Sequence, residues 1–500
     1  MKCLDRVLLK VVLRSSSGVS ETFVIDKTVW SASQTRQSCL ADLIMNVQFI
    51  DCCLPSHHIT GQWASTRSDM FPDKFCEALS QLHADAPAHS WKITQTTVEE
   101  ALCIPKGSLH DVFQSFDHEP VASGSIAQIH RATIKPNTRN VYCTNMEEEG
   151  SLVAVKVRHP NVARLIDMDF RLMSMLAAAI DCFPALRWLR IKSSIEQFSH
   201  TMAAQAHLNV EAHHLEVLTH NFRNWVYVDF PLPIFACSKV IIETFEEGKI
   251  CSTVIDQYDR LASEVGLTAG DVMPVPLAKF IVTTGVALYL KMLIVDNLMH
   301  ADLHPGNIMI SAALFDQEDA ISSVLHPTNQ AIRMAKAEVT TGFYGHITLV
   351  DAGMVAQLED DESINFIGLL SSMGAGDGRS AADSVLKFSE ERDYLTKEQQ
   401  EAFIQDMISY FDESCRGYCT DVDVGEVLRG VLGLIKTHHI RVDANYATLV
   451  VNALCIEGLA KRVCPSYNVL DAAKPLLSSY RTLSFYKSKS PTVSLHETRL

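Results

Sequence analysis

Residues 300–307 read His-Ala-Asp-Leu-His-Pro-Gly-Asn, and they constrain the fold of this chain more than any other stretch. An apolar run at residues 277–298 precedes them and predicts a long buried helix. The apolar residues 308–310 follow them and predict a short strand. A Pro-Gly pair supplies a sharp turn between a carboxylate, Asp302, and an amide, Asn307. The sequence therefore predicts two polar side chains at a fixed spacing between two buried elements.

The spacing of Asp302 and Asn307 is typical of the catalytic loop of kinase-like phosphotransferases. In such a loop the Asp acts on the hydroxyl or water that attacks the γ-phosphate, and the Asn holds a metal ion on the phosphates. We therefore interpret Asp302 as catalytic and Asn307 as a metal ligand. For this stretch alone, the alternative is a structural loop after a buried helix.

A lysine lies in the apolar segment 153–157, which reads Val-Ala-Val-Lys-Val and predicts a buried strand. In kinases such a lysine pairs with the α- and β-phosphates and with a glutamate on a helix. Lys156 and Glu211, in a predicted helix at 195–221, are our candidates for this catalytic pair. The alternative is a strand lysine whose ammonium reaches water.

The triplet Asp351-Ala352-Gly353 follows a predicted strand at 347–350, where protein kinases carry Asp-Phe-Gly. Asp351 is therefore the second candidate metal ligand, and Gly353 would allow the backbone to turn sharply. The triplet alone is a weak indication. It gains weight because it follows the catalytic loop in the expected order, behind a polar insertion at 311–342.

A turn between two predicted strands lies upstream of Lys156, where a kinase has its glycine-rich loop. Our candidate nucleotide-binding residues there are Ala122, Ser123, Gly124 and Ser125. This stretch has one glycine, so we expect a stiffer loop than in ordinary kinases, and an ordinary hairpin turn is the alternative.

A second candidate contact with the nucleotide lies in the apolar segment 240–245, which predicts a short strand. Glu246, Glu247 and Gly248 follow it, where an interlobe hinge would lie. Glu243 on this strand joins Lys156 as a cofactor-binding candidate. Periodicity further predicts a helix at 167–182 and mostly helical structure over 359–480.

Bulk composition excludes several classes of protein. The chain has 500 residues, 47% of them hydrophobic, and a net charge of −16, which argues against nucleic acid as a partner. Its 14 cysteines follow no zinc-site spacing and are expected to be free thiols. The most apolar segment, 280–294, carries Lys291 and is too short, so we predict no spanning helix.

The N-terminus carries basic residues every four positions, followed by serines. This pattern predicts a basic amphipathic helix, as in a mitochondrial transit segment. A surface helix is the alternative. The basic residues are Lys2, Arg6, Lys10 and Arg14.

Taken in order, these motifs resemble the UbiB-type, aarF-domain (ADCK) family of atypical kinases, and most closely its mitochondrial branch linked to coenzyme Q. The resemblance covers roughly residues 60–480. The stretches that carry it are Gly-Gln-Trp-Ala-Ser-Thr-Arg at 61–67, 122–130, 153–160, Glu211-Ala212, 300–307 and 351–353.

The resemblance implies an α+β, two-lobe, protein-kinase-like fold with an extra N-terminal helical region and a helical C-terminal extension. The implied divisions are 1–58, unassigned; 59–118, the Gly-Gln helical region; 119–248, an N-lobe; 249–480, a C-lobe; and 481–500, a tail.

The implied cofactors are ATP and Mg²⁺, and the implied activity is that of an ATPase or small-molecule kinase. The same resemblance implies a lipid or isoprenoid-quinone precursor as partner, peripheral membrane contact and a quinone-synthesis protein complex. It places such a protein on the matrix side of the mitochondrial inner membrane.

The chain departs from the family pattern at three places. The family's Lys-x-Gly-Gln begins with Ile59 here, and its Glu-x-Asp reads Gln205-Ala206-His207. Losing both charged sides together is physically coherent, because an unpaired buried charge is costly whereas removing both can be nearly neutral. Gly124 stands where the quinone-linked branch often has alanine.

Two other functions compete with this interpretation. A small-molecule kinase of the choline or aminoglycoside class has a similar catalytic loop but lacks the Gly-Gln-Trp-Ala-Ser-Thr-Arg segment. A pseudokinase scaffold would bind nucleotide or lipid without turnover, although Lys156, Glu211, Asn307 and Asp351 are all present.

Overall fold

The computed structural model describes most of the chain between residues 88 and 467, together with two short N-terminal strands. The described residues are 8–14, 20–26, 88–135, 151–181, 191–315, 321–322, 343–388, 395–415, 423–440, 442, 444–465 and 467. The segment 61–67, the part of the predicted helical region before residue 88 and residues 468–500 lie outside this set.

The described elements mix strands and helices. The strands are β1 (Leu8–Arg14), β2 (Ser20–Asp26), β3 (Phe113–Phe116), β4 (Ala122–Ser123), β5 (Ala127–Ile134), β6 (Leu152–Arg158), β7 (Val228–Asp229), β8 (Pro233–Ala236), β9 (Val240–Thr244), β10 (Lys249–Ile250), β11 (Leu298–His300), β12 (Ile308–Phe315), β13 (Ile321–Ser322), β14 (Phe343–Leu349) and β15 (Val355–Gln357). The helices are α1 (Trp91–Ala101), α2 (Leu109–Val112), α3 (Val162–Asp181), α4 (Ile191–Gln205), α5 (Leu208–Phe222), α6 (Cys251–Val265), α7 (Ala269–Val272), α8 (Val275–Lys291), α9 (Asp360–Ala375), α10 (Gly378–Lys387), α11 (Lys397–Ser414), α12 (Val424–Thr437) and α13 (Ala444–Val463).

The chain divides into two compact units that interleave in sequence. The first unit comprises residues 1–96, 118–130 and 157–206, and it contains the packed helices α3 and α4. The second comprises residues 97–117, 131–156 and 207–500. The second unit therefore contains Lys156 and every predicted site residue that follows it in the chain.

The strand that carries Lys156 is central in a sheet of order β3-β5-β6-β9-β8. Five consecutive residues of β6, from Val153 to Val157, are buried. A central strand that is covered on both faces explains this continuous apolar run. The predicted strands at 153–157 and 240–245 are thus confirmed, and β9 has a buried side chain at Glu243.

The helical run predicted at 195–221 is in fact two helices, α4 and α5, so the prediction of one helix is wrong. His207 adopts an extended backbone, with φ −115° and ψ 98°, and begins α5 as its N-cap residue. The next amide, that of Leu208, donates a hydrogen bond to the backbone oxygen of Ser238 at 3.4 Å. No glycine or proline marks the break, and the Leu208 amide takes a distant backbone acceptor that local pattern cannot predict.

The catalytic-loop segment is framed by a second sheet, of order β10-β12-β14-β7 with β13 on β12. The strand after the loop is longer than predicted, since β12 runs from Ile308 to Phe315 and pairs with the whole of β14. Part of the predicted polar insertion at 311–342 is therefore strand. Residues 323–342 of that insertion lie outside the described set.

The apolar run before the loop forms α8, but the α-helix ends at Lys291 and not at residue 298 as predicted. A π-helix, Met292–Asp296, follows, and Asn297 takes the left-handed conformation with φ 49°. Lys291 Nζ lies 2.6 Å from Asp296 Oδ2, which spans the wide turn with an ion pair. The chain then enters β11 directly, so His300 belongs to a strand.

Among the described residues, Val275–Asp296 is long and apolar enough to cross a membrane by length and composition alone. The apolar helical run is thus longer than predicted, because it begins before residue 280, while the expectation of no spanning helix stays a prediction. Half of its most apolar window is buried inside the protein. A buried core helix meets the same test, so this finding is weak evidence for membrane insertion.

Helices α9 to α13 confirm the helical periodicity predicted from residue 359 up to Val463. Several begin at side-chain caps that the sequence carries: Thr396 with Gln399 forms a capping box at α11, and Asp423 accepts from the Glu426 amide at α12. Phe366, Phe388 and Tyr446 pack together as aromatic neighbours among these helices.

The N-terminal strands β1 and β2 pair antiparallel, from Leu8 opposite Asp26 to Arg14 opposite Ser20. The prediction of a basic amphipathic helix is therefore wrong from Leu8 onwards. Valine and other apolar residues at 7–13 favour extended structure, and the serines at 15–17 with Gly18 favour a turn. A spacing of basic residues every four positions did not outweigh these preferences.

Candidate active site

A cluster of one lysine and two carboxylates lies within the second unit. Lys156 Nζ lies 2.6 Å from Glu211 Oε1 and 2.9 Å from Asp351 Oδ2. Lys156 and Glu211 are almost fully buried, whereas the Asp351 side chain is 37% exposed. The predicted Lys156–Glu211 ion pair is therefore present, and the structure adds Asp351 to it.

The charges in this cluster hold one another in place. Burial alone would lower the pKa of Lys156, but the carboxylates of Asp351, Glu211 and Glu243 outweigh it and raise that pKa. Burial would raise the pKa of Asp351, but Lys156 and the Gly353 amide keep it below its ordinary value. Glu211 shows the opposite balance, since burial raises its pKa more than Lys156 lowers it. Lys156 and Asp351 are thus the firmly charged members.

Glu243 is a third carboxyl group near the lysine and lies 3% exposed on β9. Burial, followed by the charge of Glu211, raises its pKa well above the ordinary value. Its Oε2 atom is buried and has no hydrogen-bond partner within the described part of the chain. A carboxyl group in this state favours its neutral form, which can donate a hydrogen bond.

The catalytic loop folds back on itself and brings Asn307 to Asp302. The Asn307 side-chain amide donates to the backbone oxygen of Asp302 at 3.0 Å and lies 3.5 Å from Asp302 Oδ2. Backbone hydrogen bonds from His304 to Asp302 and from Asn307 to His304 form the turn. A Cβ atom at Gly306 would lie 2.6 Å from the His304 ring, so any larger residue there would have to displace that ring.

His300 links this loop to the Asp-Ala-Gly triplet. Its fully buried ring donates from Nε2 to the backbone oxygen of Asp351 at 2.5 Å and accepts at Nδ1 from the Asp302 amide at 3.2 Å. Asn452 donates to the backbone oxygen of His300 at 2.7 Å. His300 and Asn452 are positioning residues that sequence reasoning did not assign; Asn452 gives no local sign, whereas His300 begins the motif itself.

Strand pairing brings the two candidate metal ligands to neighbouring positions. Ile308 pairs with Leu349, and the Val350 amide donates to the Asn307 backbone oxygen at 3.1 Å. Asp351 is the next residue, and its Oδ1 accepts from the Gly353 amide at 2.8 Å. The pairing of β12 with β14 therefore places Asn307 and Asp351 side by side at one end of the sheet.

His214 also contacts the triplet, donating from Nδ1 to the Ala352 backbone oxygen at 2.9 Å. Burial lowers its pKa, in keeping with a neutral ring. His214 lies three residues after Glu211 on α5, and such residues share a helix face. That spacing could have identified it from sequence.

The candidate nucleotide loop belongs to the first unit. Ala122 and Ser123 form β4, which pairs with Ile129 and Gln128 of β5, and the Gly124 amide donates to the Ala127 oxygen at 2.9 Å. The Ser123 hydroxyl is buried and lacks a partner among the described residues. An orphaned hydroxyl of this kind fits a loop that takes an oxygen-rich ligand.

The donor set fits a magnesium ion carried by a nucleotide. Within the described residues, no group of three His, Cys, Asp or Glu could hold a metal by itself. Mg²⁺ on a nucleotide instead uses one or two protein oxygens together with phosphates and waters. Asn307 turns its amide nitrogen toward Asp302, which assigns its oxygen to the opposite side, and Asp351 offers a partly exposed carboxylate. Asn307 and Asp351 would hold the ion.

A strand lysine with its helix glutamate, a His-x-Asp loop with its Asn and an Asp-x-Gly triplet define an α+β protein of the kinase-like class. The family model "ABC1 atypical kinase-like domain" matches residues 81–385, more than half of the chain. The chain belongs to this family, and the predicted resemblance to UbiB-type kinases is confirmed.

Curated relatives span nearly the whole chain. It is similar to the probable serine/threonine-protein kinase abkC of Dictyostelium discoideum, at 30% identity over 89% of this chain and 65% of the relative. A mitochondrial ABC1 family protein of Schizosaccharomyces pombe is 27% identical over 87% of this chain and 65% of the relative. The probable protein kinase UbiB of Histophilus somni is 26% identical over 84% and 68%. The chain thus spans somewhat less than two thirds of the first two relatives.

Proposed function

We propose that this chain binds Mg-ATP and acts as an atypical kinase or ATPase. The observation that carries the proposal is the contact of Lys156 Nζ with both Glu211 and Asp351, at 2.6 and 2.9 Å. An ammonium group has three N–H donors, so one remains for a phosphate oxygen. The carboxylates of Asp351, Glu211 and Glu243 outweigh the effect of burial and keep this lysine charged. Its two ion pairs fix its direction, as phosphate binding requires.

The remaining roles follow from the loop geometry. Asp302 has a side chain 38% exposed, and its backbone is held by both His300 and Asn307. We assign it as the group that orients the attacking hydroxyl or water and accepts its proton. Mg²⁺ would neutralise charge on the phosphates. Asn307 and Asp351 would keep that ion in register with Asp302.

The candidate loop residues Ala122, Ser123, Gly124 and Ser125 complete the proposed nucleotide contacts. Glu243 joins them, because its carboxyl group favours the neutral form and has a buried oxygen without a partner among the described residues. In that form it is suited to donate a hydrogen bond to a nucleotide nitrogen or oxygen.

We place the activity in isoprenoid-quinone synthesis or mitochondrial lipid metabolism. The support is the family membership and the naming of relatives as UbiB kinases and as mitochondrial ABC1 proteins. A lipid or quinone precursor as partner, peripheral contact with the matrix side of the inner membrane and a quinone-synthesis complex belong to the same proposal. Fluorescence microscopy of the full chain with a C-terminal tag tests the location, and a diffuse cytosolic signal would contradict it.

A nucleotide-binding scaffold without turnover is the second candidate. The observation that favours it is that both oxygens of Asp351 already accept hydrogen bonds, from Lys156 and from the Gly353 amide. A carboxylate engaged on both oxygens has fewer lone pairs for a metal. Hydrolysis assays separate the two candidates directly.

The test is ATP hydrolysis by the purified full chain, with and without cardiolipin-containing vesicles, alongside Asp302→Asn. We expect the variant to lose about 100-fold or more in kcat, while the ATP dissociation constant changes by less than about threefold. Asp361→Asn, an exposed change of the same chemistry on α9, is the matched control and should match wild type. Wild-type turnover by Asp302→Asn would make Asp302 structural, and absent turnover in wild type would favour the scaffold.

A further inference from the structure

A histidine holds the candidate nucleotide loop from within the same unit. His159 Nε2 lies 2.9 Å from the Gly124 backbone oxygen, and the His159 amide donates to the Ile126 oxygen at 2.8 Å. A carbonyl oxygen can only accept, so the proton of the His159 ring must be on Nε2. The other ring nitrogen of a neutral His159 is then an acceptor.

A second histidine satisfies that acceptor. The Nδ1 atoms of His89 and His159 are 2.7 Å apart, and the two rings meet edge to face. Since His159 accepts there, His89 must donate, and its proton is on Nδ1. The two rings therefore hold opposite tautomers. His89 Nε2 becomes an acceptor in turn, and the Thr94 hydroxyl lies 3.1 Å away to donate to it.

The chain of hydrogen bonds starts at a buried amide whose orientation is fixed. The backbone N–H of His89 donates to Gln128 Oε1 at 2.8 Å, which identifies the other end of the amide as the NH₂ group. That NH₂ group has three acceptors within reach, namely His130 Nε2 at 2.8 Å, the Thr94 hydroxyl at 3.1 Å and the His89 backbone oxygen at 3.3 Å, and the two shorter contacts take its two hydrogens. Gln128, Thr94 and His130 are fully buried, so water cannot substitute for these contacts.

All donors consequently point the same way, from Gln128 through Thr94, His89 and His159 to the Gly124 oxygen. The 122–126 loop comprises β4, which is Ala122–Ser123, and the three residues that link it to β5. The series of hydrogen bonds connects the backbone of this loop to α1 and to His159, the residue after β6. Apart from the Gly124 backbone oxygen on which it ends, this series of hydrogen bonds uses none of the residues assigned to the proposed chemistry.

We propose that His159 is a positioning residue for the 122–126 loop, and that a one-way hydrogen-bonded chain through His89 fixes the tautomer in which it does so. This rests on the proposed function in one respect, namely that the loop contacts a nucleotide. The ligand class is a nucleoside triphosphate, whose phosphates the loop amides and the Ser123 hydroxyl would meet.

The electrostatics of the cluster agree with two neutral rings. Burial, followed by the charges of His159 and His130, lowers the pKa of His89 to about 4. Burial lowers the pKa of His159 more than the Gly124 hydrogen bond raises it. Both rings are therefore uncharged at neutral pH, as a one-way chain of neutral donors requires.

Paired variants at His159 separate positioning from bulk stability. In His159→Gln the side-chain amide can reach Gly124 with an N–H close to the place of Nε2, whereas His159→Leu cannot donate. For His159→Leu we expect the Mg-ATP dissociation constant to rise about 3- to 10-fold, with faster deuterium exchange at the Gly124 amide. For His159→Gln both should stay within about twofold of wild type.

Spectra and variants of His89 provide an independent test of the proposal. Nitrogen-15 spectra of histidine side chains should show His89 protonated on Nδ1 and His159 on Nε2, both neutral at neutral pH. His89→Asn keeps a donor near Nδ1 and should preserve ATP affinity, while His89→Leu should weaken it by a factor similar to that of His159→Leu. The same tautomer on both rings in wild type would contradict the proposed one-way series of hydrogen bonds.

The outcomes distinguish this inference from the proposed function. If wild type binds no ATP, the proposed function fails, while exchange at Gly124 and the histidine tautomers still decide whether His159 holds the loop. Equal effects of His159→Leu and His159→Gln, or a lowered melting temperature with unchanged ATP affinity, would reduce His159 to an ordinary structural residue.

Discussion

His300 Nε2 donates to the backbone oxygen of Asp351 at 2.5 Å, and this bond joins the start of the catalytic loop to the start of the Asp-Ala-Gly triplet. The same ring accepts from the Asp302 amide, so it positions the two acidic residues to which we assign the chemistry. Its full burial means that neither bond can be replaced by water. The relative placement of Asp302 and Asp351 therefore depends on one neutral imidazole.

The first prediction concerns that ring. His300→Leu keeps a similar bulk but leaves the Asp302 amide and the Asp351 oxygen without a partner, at a cost of about 1–3 kcal/mol for each buried group. Urea unfolding should show this loss, and ATP hydrolysis should fall with it. His213→Leu, on the exposed face of α5, should change stability by less than about 0.5 kcal/mol. Equal stability of the two variants would show that His300 does not join the segments.

The second prediction concerns the Lys156–Glu211 pair. Lys156→Met leaves the Glu211 carboxylate, whose side chain is only 4% exposed, without its cation. We therefore expect the free energy of unfolding to fall by about 3–5 kcal/mol. Adding Glu211→Leu should recover part of that loss, because the buried Glu211 carboxylate is then no longer left without its cation. A double-mutant cycle by urea unfolding measures the coupling. The exposed pair of Lys239 and Glu100, 3.5 Å apart, should show little coupling, and equal coupling for both pairs would contradict us.

The third prediction concerns magnesium. Titrations of ATP with Mg²⁺ and with EDTA should show tighter binding with the metal for wild type, by about tenfold or more. Asp351→Asn and Asn307→Ala should each lose most of this gain while melting as cooperatively as wild type. Asp361→Asn again serves as control. Metal-dependent affinity that survives in both variants would show that these side chains do not hold the ion.

The fourth prediction concerns Glu243 and pH. Its folded-state pKa is raised above the ordinary 4.5, so above pH 4.5 the folded chain keeps a proton that the unfolded chain has released. The contribution of Glu243 to stability therefore falls as pH rises toward the folded pKa. Glu243→Gln lacks this dependence of stability on pH. As pH rises from 5 to 8, the free energy of unfolding of the variant, measured with urea, should therefore increase relative to that of wild type. A relative loss would mean that Glu243 is ionised and paired.

Local sequence pattern was sufficient to predict the structure wherever the neighbours of a residue belong to the same helix, strand or loop. Four apolar residues around Lys156 predicted a buried strand, and the spacing of Asp302 and Asn307 predicted a turn that brings them together. The Lys156–Glu211 contact was also predictable, because a buried lysine requires a carboxylate and α5 offers one on its inward face.

Pattern was insufficient where a distant backbone group decides the outcome. The break at His207 depends on Ser238, and the hold on His300 depends on Asn452, 152 residues away. Asp351 in contact with Lys156 joins residues 195 positions apart. The pairing of histidines 89 and 159 could not be predicted, because neither residue belongs to a motif that specifies a partner.

The π-helix at Met292–Asp296 sets the direction in which the chain approaches the catalytic loop. A π turn holds one residue more than an α turn, and each residue in an α-helix rotates the chain by about 100°. If the same residues adopted plain α geometry, the extra residue would rotate the chain by about 100°, and His300 would enter its strand facing another direction. The side chains of the catalytic loop thus keep their arrangement only while this turn stays wide, although none of them belongs to it.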